Sequence, residues 1–193
     1  MLPLFALNTV LFPGCVLDLQ VFEARYLDMV SQCMRQQSTF GVVSILEGNE
    51  VGQAPGQLAQ VGCEALLVDW QQLANGLLGV RVQGGRCFEV QSTQTQANQL
   101  SLAEVQWRCS APETALIEAN EELLGLLTAL SQHPQIQSLN VPLAGLDRHA
   151  LAYWLGYLLP LSQAQKLELL SVQDAQDKLE RIHVWLDVLQ GHH

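Results

Sequence analysis

The hydrophobic pattern of the chain changes near residue 109. Before that point, apolar runs and alternation of apolar with polar residues predict strands, and after it apolar residues recur at helical spacing. The sequence therefore predicts an α+β protein in two parts. The first is a β-rich domain over residues 1–109, and the second is a helical bundle over residues 110–193.

The first 26 residues carry the most informative pattern. Pro3 restricts the residue before it to extended conformations, so the chain is predicted to open as a strand. Pro13-Gly14 predicts a turn, because proline presets one φ and glycine accepts a positive one. Residues 17–21 alternate like a half-buried strand, and an amphipathic helix is predicted from residue 22 to about Gln37. The buried face of that helix is predicted to contain Tyr26, Met29, Val30 and Cys33.

Two polar stretches are predicted to connect strands in the β-rich part. Residues 40–46 are β-branched and apolar, which predicts a strand covered on both faces. Residues 47–60 contain glycines, a proline and polar residues, which predicts a long surface loop. The polar residues 91–99 are predicted to lead into the last strand, residues 100–107.

A hairpin is predicted in the middle of the β-rich part. Residues 61–70 and 77–83 are predicted strands, and Asn75-Gly76 between them is a strong hairpin signal because both residues tolerate a positive φ. Gly84-Gly85 is predicted to turn the chain into a further strand over residues 86–90.

Four helices are predicted in the second part. Pro112 and Glu113 suit the first turn of the first helix. Asp147, Ser162 and Asp174 are predicted to cap the next three. The buried stripe of the first helix is predicted to be Leu116, Ala119, Leu123, Leu127 and Leu130. The buried stripe of the last helix is predicted to be Leu179, Ile182, Leu186 and Leu189.

Three segments at the amino terminus resemble a known family. Residues 2–8 read Leu-Pro-Leu-Phe-Ala-Leu-Asn, residues 10–14 read Val-Leu-Phe-Pro-Gly, and residues 22–26 read Phe-Glu-Ala-Arg-Tyr. This order resembles the start of the Lon substrate-binding (N-terminal) domain family. Looser matches follow at residues 40–46, 61–63, 82–88 and 157–170.

The resemblance implies both a fold and a function. The implied fold is a PUA-like mixed β-sheet pseudo-barrel with one early helix, followed by a C-terminal α-helical bundle. The implied function is non-catalytic recognition of protein segments, with unfolded or extended segments as partners. The sequence contains no G-x-x-x-x-G-K-[ST] phosphate loop and no glycine-rich serine and lysine context of a Lon peptidase. We therefore expect a stand-alone module that is not an enzyme.

Charge and cysteine content narrow the partners and the compartment. The net charge is −10 with nine basic residues, which disfavours nucleic acid and anionic membranes as partners. Two alternatives stay open: a peptidase-associated enzyme, and a PUA-like RNA-binding module. The cysteines are odd in number and form no C-x-x-C motif, so we expect thiols in a reducing cytoplasm. They are Cys15, Cys33, Cys63, Cys87 and Cys109.

Several residues could suggest chemistry, and each has a structural interpretation that we favour. Glu23 and Arg25 are predicted to fix the start of the first helix by hydrogen bonds and ion pairing. Cys15 has no neighbouring cation to lower its pKa, so a packed thiol is predicted. Trp154 is predicted to be core, whereas Trp70 and Trp107 lie near strand ends and are candidates for exposure.

No catalytic, cofactor-binding or metal site is predicted. Three glutamates are predicted to form a solvated helix face, and three histidines are isolated in the sequence. The glutamates are Glu118, Glu121 and Glu122, and the histidines are His133, His149 and His183.

Overall fold

The computed structural model describes residues 1–109, 114–189 and 191. The chain divides into two compact units, Met1–Cys109 and Ser110–His193. That each unit is an independent domain stays a prediction. The predicted helix start at Pro112 and Glu113 lies outside the described residues.

The elements confirm the predicted α+β class, with the helices gathered at the carboxyl-terminal end. The first unit contains β1 (Leu2–Leu7), β2 (Val16–Val21), α1 (Ala24–Gln36), β3 (Phe40–Glu47), β4 (Gln57–Gln72), β5 (Leu78–Thr95) and β6 (Ser101–Trp107). The second contains a 3-10 turn (Glu118–Asn120), α2 (Glu121–Ser131), α3 (Pro134–Gln137), α4 (Arg148–Leu158), α5 (Gln163–Ser171) and α6 (Ala175–Leu189). None of the described helices is both long and apolar enough to cross a membrane.

The six strands form one mixed sheet that closes on itself. The strand order is β2-β5-β4-β3-β1-β6, and β6 also pairs with β5. The β1–β3 pair is parallel and the other pairs are antiparallel. Closure is possible because β5 is long: its first half pairs with β2 and β4, and its second half pairs with β6.

Helix α1 packs its apolar stripe on the core of the first unit. Tyr26, Met29, Val30 and Cys33 are all buried, as predicted. The Tyr26 ring stacks on Phe5 of β1 with 4.0 Å between ring centroids. The helix ends where predicted, because Gln37 adopts a left-handed conformation with φ of 51°.

The prediction of a turn at Gly84-Gly85 is wrong. Strand β5 runs without interruption from Leu78 to Thr95. A Cβ atom on Gly84 would lie 2.0 Å from the Phe12 carbonyl oxygen, so the glycine allows two backbone segments to approach closely. Hydrogen bonds from the Gly14 amide to the Gly84 carbonyl (2.8 Å) and from the Gly84 amide to the Cys15 carbonyl (2.9 Å) hold this contact.

The two predicted polar connections are too long. Strand β4 begins at Gln57, inside the predicted loop 47–60, because Ala59 and Val61 are buried while Gln60 between them faces solvent. Strand β5 extends to Thr95, inside the predicted connection 91–99, because exposed polar residues can still form a ladder with β6. The prediction that residues 40–46 are covered on both faces fails at Leu46, which is exposed. The register of β3 against β4 shifts on either side of Ile45, and these irregularities turn the last residues of β3 towards solvent.

Helix α4 is the centre of the second unit and contacts α2, α5 and α6. Its apolar surface is buried on several sides, as predicted for a sandwiched helix.

The three predicted helix caps are confirmed by side-chain acceptors. Asp147 accepts from the Ala150 amide (2.7 Å), Ser162 from the Gln165 amide (3.3 Å) and Asp174 from the Asp177 amide (3.0 Å).

Three details of the helical prediction are wrong. The first helix begins at Glu118 rather than before Leu116, because the Asn120 side chain accepts from the Ile117 amide and starts the helix there. Ala119 is consequently exposed. Leu189 is also exposed, since α6 has 15 residues and α4 only 11, so the last turn of α6 extends beyond its partner. The single turn α3 was not predicted.

Lys178 is almost fully buried on α6. Its Nζ atom donates to Tyr153 Oη (3.0 Å), lies 3.1 Å from His149 Nδ1 and sits 4.6 Å from the Tyr153 ring centroid. Burial disfavours the charged form of His149, and the neighbouring ammonium adds repulsion, so the pKa of His149 is lowered. Two acidic residues, Asp147 and Asp174, oppose this effect only in part.

We expect Gly84→Ala to destabilise the first unit by about 3 kcal/mol or more, because the new Cβ meets backbone rather than a movable side chain. Gly125→Ala is the matched control. A Cβ there meets nothing within 4 Å, and alanine should stabilise α2 by about 1 kcal/mol. Urea unfolding followed by circular dichroism measures both. Equal effects of the two substitutions would contradict the close-approach explanation.

We expect the stability of the second unit to fall as the pH drops below 6.5, the ordinary pKa of His149. The unfolded chain binds this proton more readily than the folded one, so acid favours unfolding and the stabilisation is present above that pH. His149→Gln should reduce the slope of stability against pH below 6.5. An unaltered slope in His149→Gln would refute the assignment.

Candidate functional site

One edge of β4 has no neighbouring strand along part of its length. The pairing of β3 with β4 ends at Phe40 and Ala65, whereas the pairing of β4 with β5 continues to Gln72. Among the described residues, β4 residues 66–72 therefore pair with β5 alone. We call residues 66–72 the open edge. An edge of this kind presents backbone N–H and C=O groups that can pair with another chain.

The open edge carries exposed apolar side chains. Leu66 is 38%, Val68 51% and Trp70 56% exposed. Asp69 is the one charged residue between positions 66 and 72, and the segment contains no lysine or proline. Proteins usually protect exposed edges with such residues, so this edge is poorly protected against pairing.

A bulge gives the open edge partial protection. The register of β4 against β5 shifts between Leu67 and Asp69, and Val68 lies at the shift. The Asp69 carboxylate accepts a hydrogen bond from the Trp70 amide (2.8 Å), which satisfies that donor. Bulges and charges of this kind limit permanent edge-to-edge association.

The open edge rests on a rigid base. On β5, Val80 and Val82 are buried in the core. On the same strand, Arg81 donates from Nε and Nη2 to the two carboxylate oxygens of Asp18 on β2, at 2.7 Å each. These hydrogen bonds outweigh partial burial and lower the pKa of Asp18. Both residues remain exposed, so the pair positions β2 on β5 and adds little to stability.

A second ion pair lies where the open edge leaves the barrel. Glu64 accepts hydrogen bonds from Arg86 Nε (3.1 Å) and Thr39 Oγ1 (2.9 Å). Burial opposes its ionisation, but these donors outweigh burial and lower the pKa of Glu64. The Arg86 guanidinium also lies 4.2 Å from the centroid of the Trp107 ring. This cluster links the residue before β3 to β4, β5 and β6 below the open edge.

A separate groove lies beside α1 in the same unit. Its volume is about 470 Å³, and its lining includes Met1, Leu2, Arg25, Met29, Leu100 and Leu102. The lining is part polar and part apolar. Arg25 is 4% exposed, and its Nε atom has no hydrogen-bond partner among residues 1–109, 114–189 and 191.

Glu23 and Arg25 form the ion pair that the sequence predicts, with 3.1 Å between Arg25 Nη2 and Glu23 Oε2. Arg25 also donates to the backbone carbonyls of Gln99 (2.9 Å) and Glu50 (3.3 Å). Glu23 accepts from the Gly52 amide (3.1 Å). The pair thus connects the start of α1 to two loops, which is a structural role.

The remaining candidate residues do not converge on a reactive centre. Glu118, Glu121 and Glu122 are exposed, and Cys15 is buried. Within the described ranges, no three His, Cys, Asp or Glu side chains are placed to hold a metal ion. Trp154 is core, as predicted, and Trp70 is exposed.

Comparison with known proteins identifies the family. Residues 1–188 match the family model of the ATP-dependent protease La (LON) substrate-binding domain. The chain belongs to this family. The predicted resemblance to the Lon N-terminal domain is thereby confirmed.

Solved structures agree with the Lon substrate-binding domain assignment. A Lon N-terminal domain protein from Xanthomonas campestris is 34% identical, with a TM-score of 0.78 over 95% of this chain and 97% of that one. The N-terminal domain of a Mycobacterium avium complex Lon protease has a TM-score of 0.72 over 95% of this chain and 96% of that one. At 21% identity, the second likeness shows the fold alone.

A curated relative is longer than this chain. It is a LON peptidase N-terminal domain and RING finger protein from Schizosaccharomyces pombe, 25% identical over an alignment of 228 residues. The alignment covers 98% of this chain and 45% of the relative. The chain therefore spans less than half the length of that protein.

We expect Arg25→Lys to destabilise the first unit by about 2 to 3 kcal/mol, because lysine cannot replace the forked contacts of a buried guanidinium. Arg81→Lys makes the same change in an exposed pair and should cost at most about 1 kcal/mol. Urea unfolding compares them, and limited proteolysis should show faster cleavage within residues 48–56 in Arg25→Lys alone. Equal losses in the two variants would contradict the structural role of Arg25.

Proposed function

We propose that this chain is a non-catalytic module that binds extended protein segments. The bound segment adds as a strand to the open edge of β4. The observation that carries the proposal is the unpaired edge itself, with Leu66, Val68 and Trp70 exposed along it.

Strand addition suits a partner without a fixed sequence. Backbone hydrogen bonds supply affinity for any extended segment. Every second side chain of the bound segment faces the protein, and these side chains determine which sequences bind more tightly. The open edge has room for a segment of about seven residues, or roughly 23 Å at the rise of a β-strand. Trp70 offers a large apolar surface, which favours segments that carry apolar side chains at alternate positions.

Charge refines the preferred segment. The net charge of the chain is −10, and Asp69 lies on the open edge itself, whereas Asp18 on β2 is already paired with Arg81. An acidic surface steers basic partners and repels acidic ones. We therefore expect apolar segments with flanking lysine or arginine to bind faster than apolar segments flanked by acidic residues.

The family supports this function without specifying the partner. The matching family is described as a substrate-binding domain, and the open edge offers a physical means of binding polypeptide. In the described part of the chain, Cys15 is buried and the glutamates Glu118, Glu121 and Glu122 are exposed, so these candidates do not pair as nucleophile and base. The module would therefore hold a segment without cleaving it.

The test uses fluorescently labelled casein, an extended protein, and the substitution Val68→Lys. A lysine on a strand edge blocks pairing, so we expect the dissociation constant to rise by about tenfold or more. Val184→Lys is the matched control, because Val184 is also exposed but lies on helix α6. It should bind like the unaltered chain.

Two outcomes would defeat the proposal. One is equal binding of casein by Val68→Lys and Val184→Lys, which would place the binding surface elsewhere. The other is degradation of casein by the purified chain, which gel electrophoresis of the same mixtures would reveal and which would replace the binding module with an enzyme.

A further inference from the structure

Three cysteines lie close together in the first unit. Cys63 on β4 is the direct cross-strand partner of Cys87 on β5. The two thiols are hydrogen-bonded to each other, and Cys15 is near enough to influence Cys63 electrostatically. All five cysteines of the chain are thiols in the structure.

The pairing of Cys63 with Cys87 satisfies the geometry of a disulfide. Directly opposed residues in antiparallel strands have Cα atoms about 4.5 to 5.5 Å apart. Disulfides span Cα separations of about 4.4 to 6.8 Å. Directly opposed side chains also project from the same face of the sheet. A bond between the two sulfur atoms therefore needs only a small adjustment of the strands.

The two thiols differ in accessibility. Cys63 is fully buried, and its sulfur lies 3.5 Å from the Glu64 carbonyl oxygen and 3.6 Å from that of Gly85. Cys87 is half-buried. The hydrogen bond with Cys87 and burial both raise the pKa of the Cys63 thiol. A small oxidant therefore meets Cys87 first.

We propose that Cys63 and Cys87 form a reversible disulfide when the protein meets a hydroperoxide. The Cys87 sulfur attacks one peroxide oxygen, the O–O bond breaks, and an alcohol or water leaves, so that Cys87 becomes a sulfenic acid. The Cys63 sulfur then attacks the Cys87 sulfur. The S–O bond breaks, and the hydroxyl leaves as water with the Cys63 proton. Two thiols are oxidised by two electrons, and one hydroperoxide is reduced.

The disulfide would close a ring at the base of the open edge. Residues 63–87 contain the end of β4, the hairpin at Asn75-Gly76 and the start of β5. The ring therefore encloses residues 66–72. The inference concerns covalent chemistry at the barrel and does not depend on the proposed binding function.

The test treats the purified full chain with hydrogen peroxide and then alkylates the remaining thiols. We expect the intact mass to fall by about 2 Da before alkylation, and the number of alkylated cysteines to fall from five to three. Peptide mapping should recover one crosslinked peptide pair containing Cys63 and Cys87. Dithiothreitol should restore all five thiols.

Serine variants distinguish the possible pairings. Cys87→Ser should abolish the crosslink, whereas Cys109→Ser and Cys15→Ser should retain it. A bond between Cys15 and Cys63, a dimer linked through Cys109, or sulfinic acid at Cys87 without a crosslink would each overturn the proposal. Because mapping is done on the unaltered chain, the result does not depend on whether Cys87→Ser folds.

Discussion

The contact between the Phe12 carbonyl and Gly84 is the constraint on which the first unit depends. At this point the connection between β1 and β2 lies directly against the middle of β5. Only a residue without a side chain permits that approach, and the hydrogen bonds of Gly14 and Cys15 to Gly84 hold it. Because β5 passes this point without turning, one strand can serve two sets of neighbours.

The two halves of β5 explain both the closed barrel and the open edge. Its second half pairs with β6 and completes the barrel, while its first half carries β2 and β4 beyond the end of β3. Strand β4 then continues past Ala65 with β5 as its only partner strand in the described part of the chain. An unpaired edge risks aggregation, and the bulge near Val68 and the Asp69 carboxylate reduce that risk. The exposed apolar side chains and the features that limit aggregation thus lie within the same seven residues.

The sequence predicts those parts of the fold that local chemistry determines. The alternation of apolar and polar residues predicts β2, and apolar residues at helical spacing predict α1. The caps at Asp147, Ser162 and Asp174 can be recognised because each side chain accepts a hydrogen bond from an amide three residues later. The predicted turn at Gly84-Gly85 is wrong because glycine is common both in turns and where two backbone segments approach closely. Only the position of Phe12 in the folded chain shows that Gly84 is at a close approach. The open edge could not be predicted, since it depends on where the pairing of β3 with β4 ends. The sequence predicts Trp70 and Trp107 as candidates for exposure; Trp70 is exposed and Trp107 is half-buried, and neither prediction identifies an unpaired edge.

Hydrogen–deuterium exchange, with and without an excess of unfolded casein, tests the central claim most directly. If a segment adds as a strand to β4, those amides of residues 66–72 that face away from β5 gain hydrogen-bond partners, and their exchange should slow in the complex. The amides of α6, which has no part in the site, should exchange at unchanged rates. Slower exchange elsewhere, with residues 66–72 unaffected, would contradict binding at the open edge.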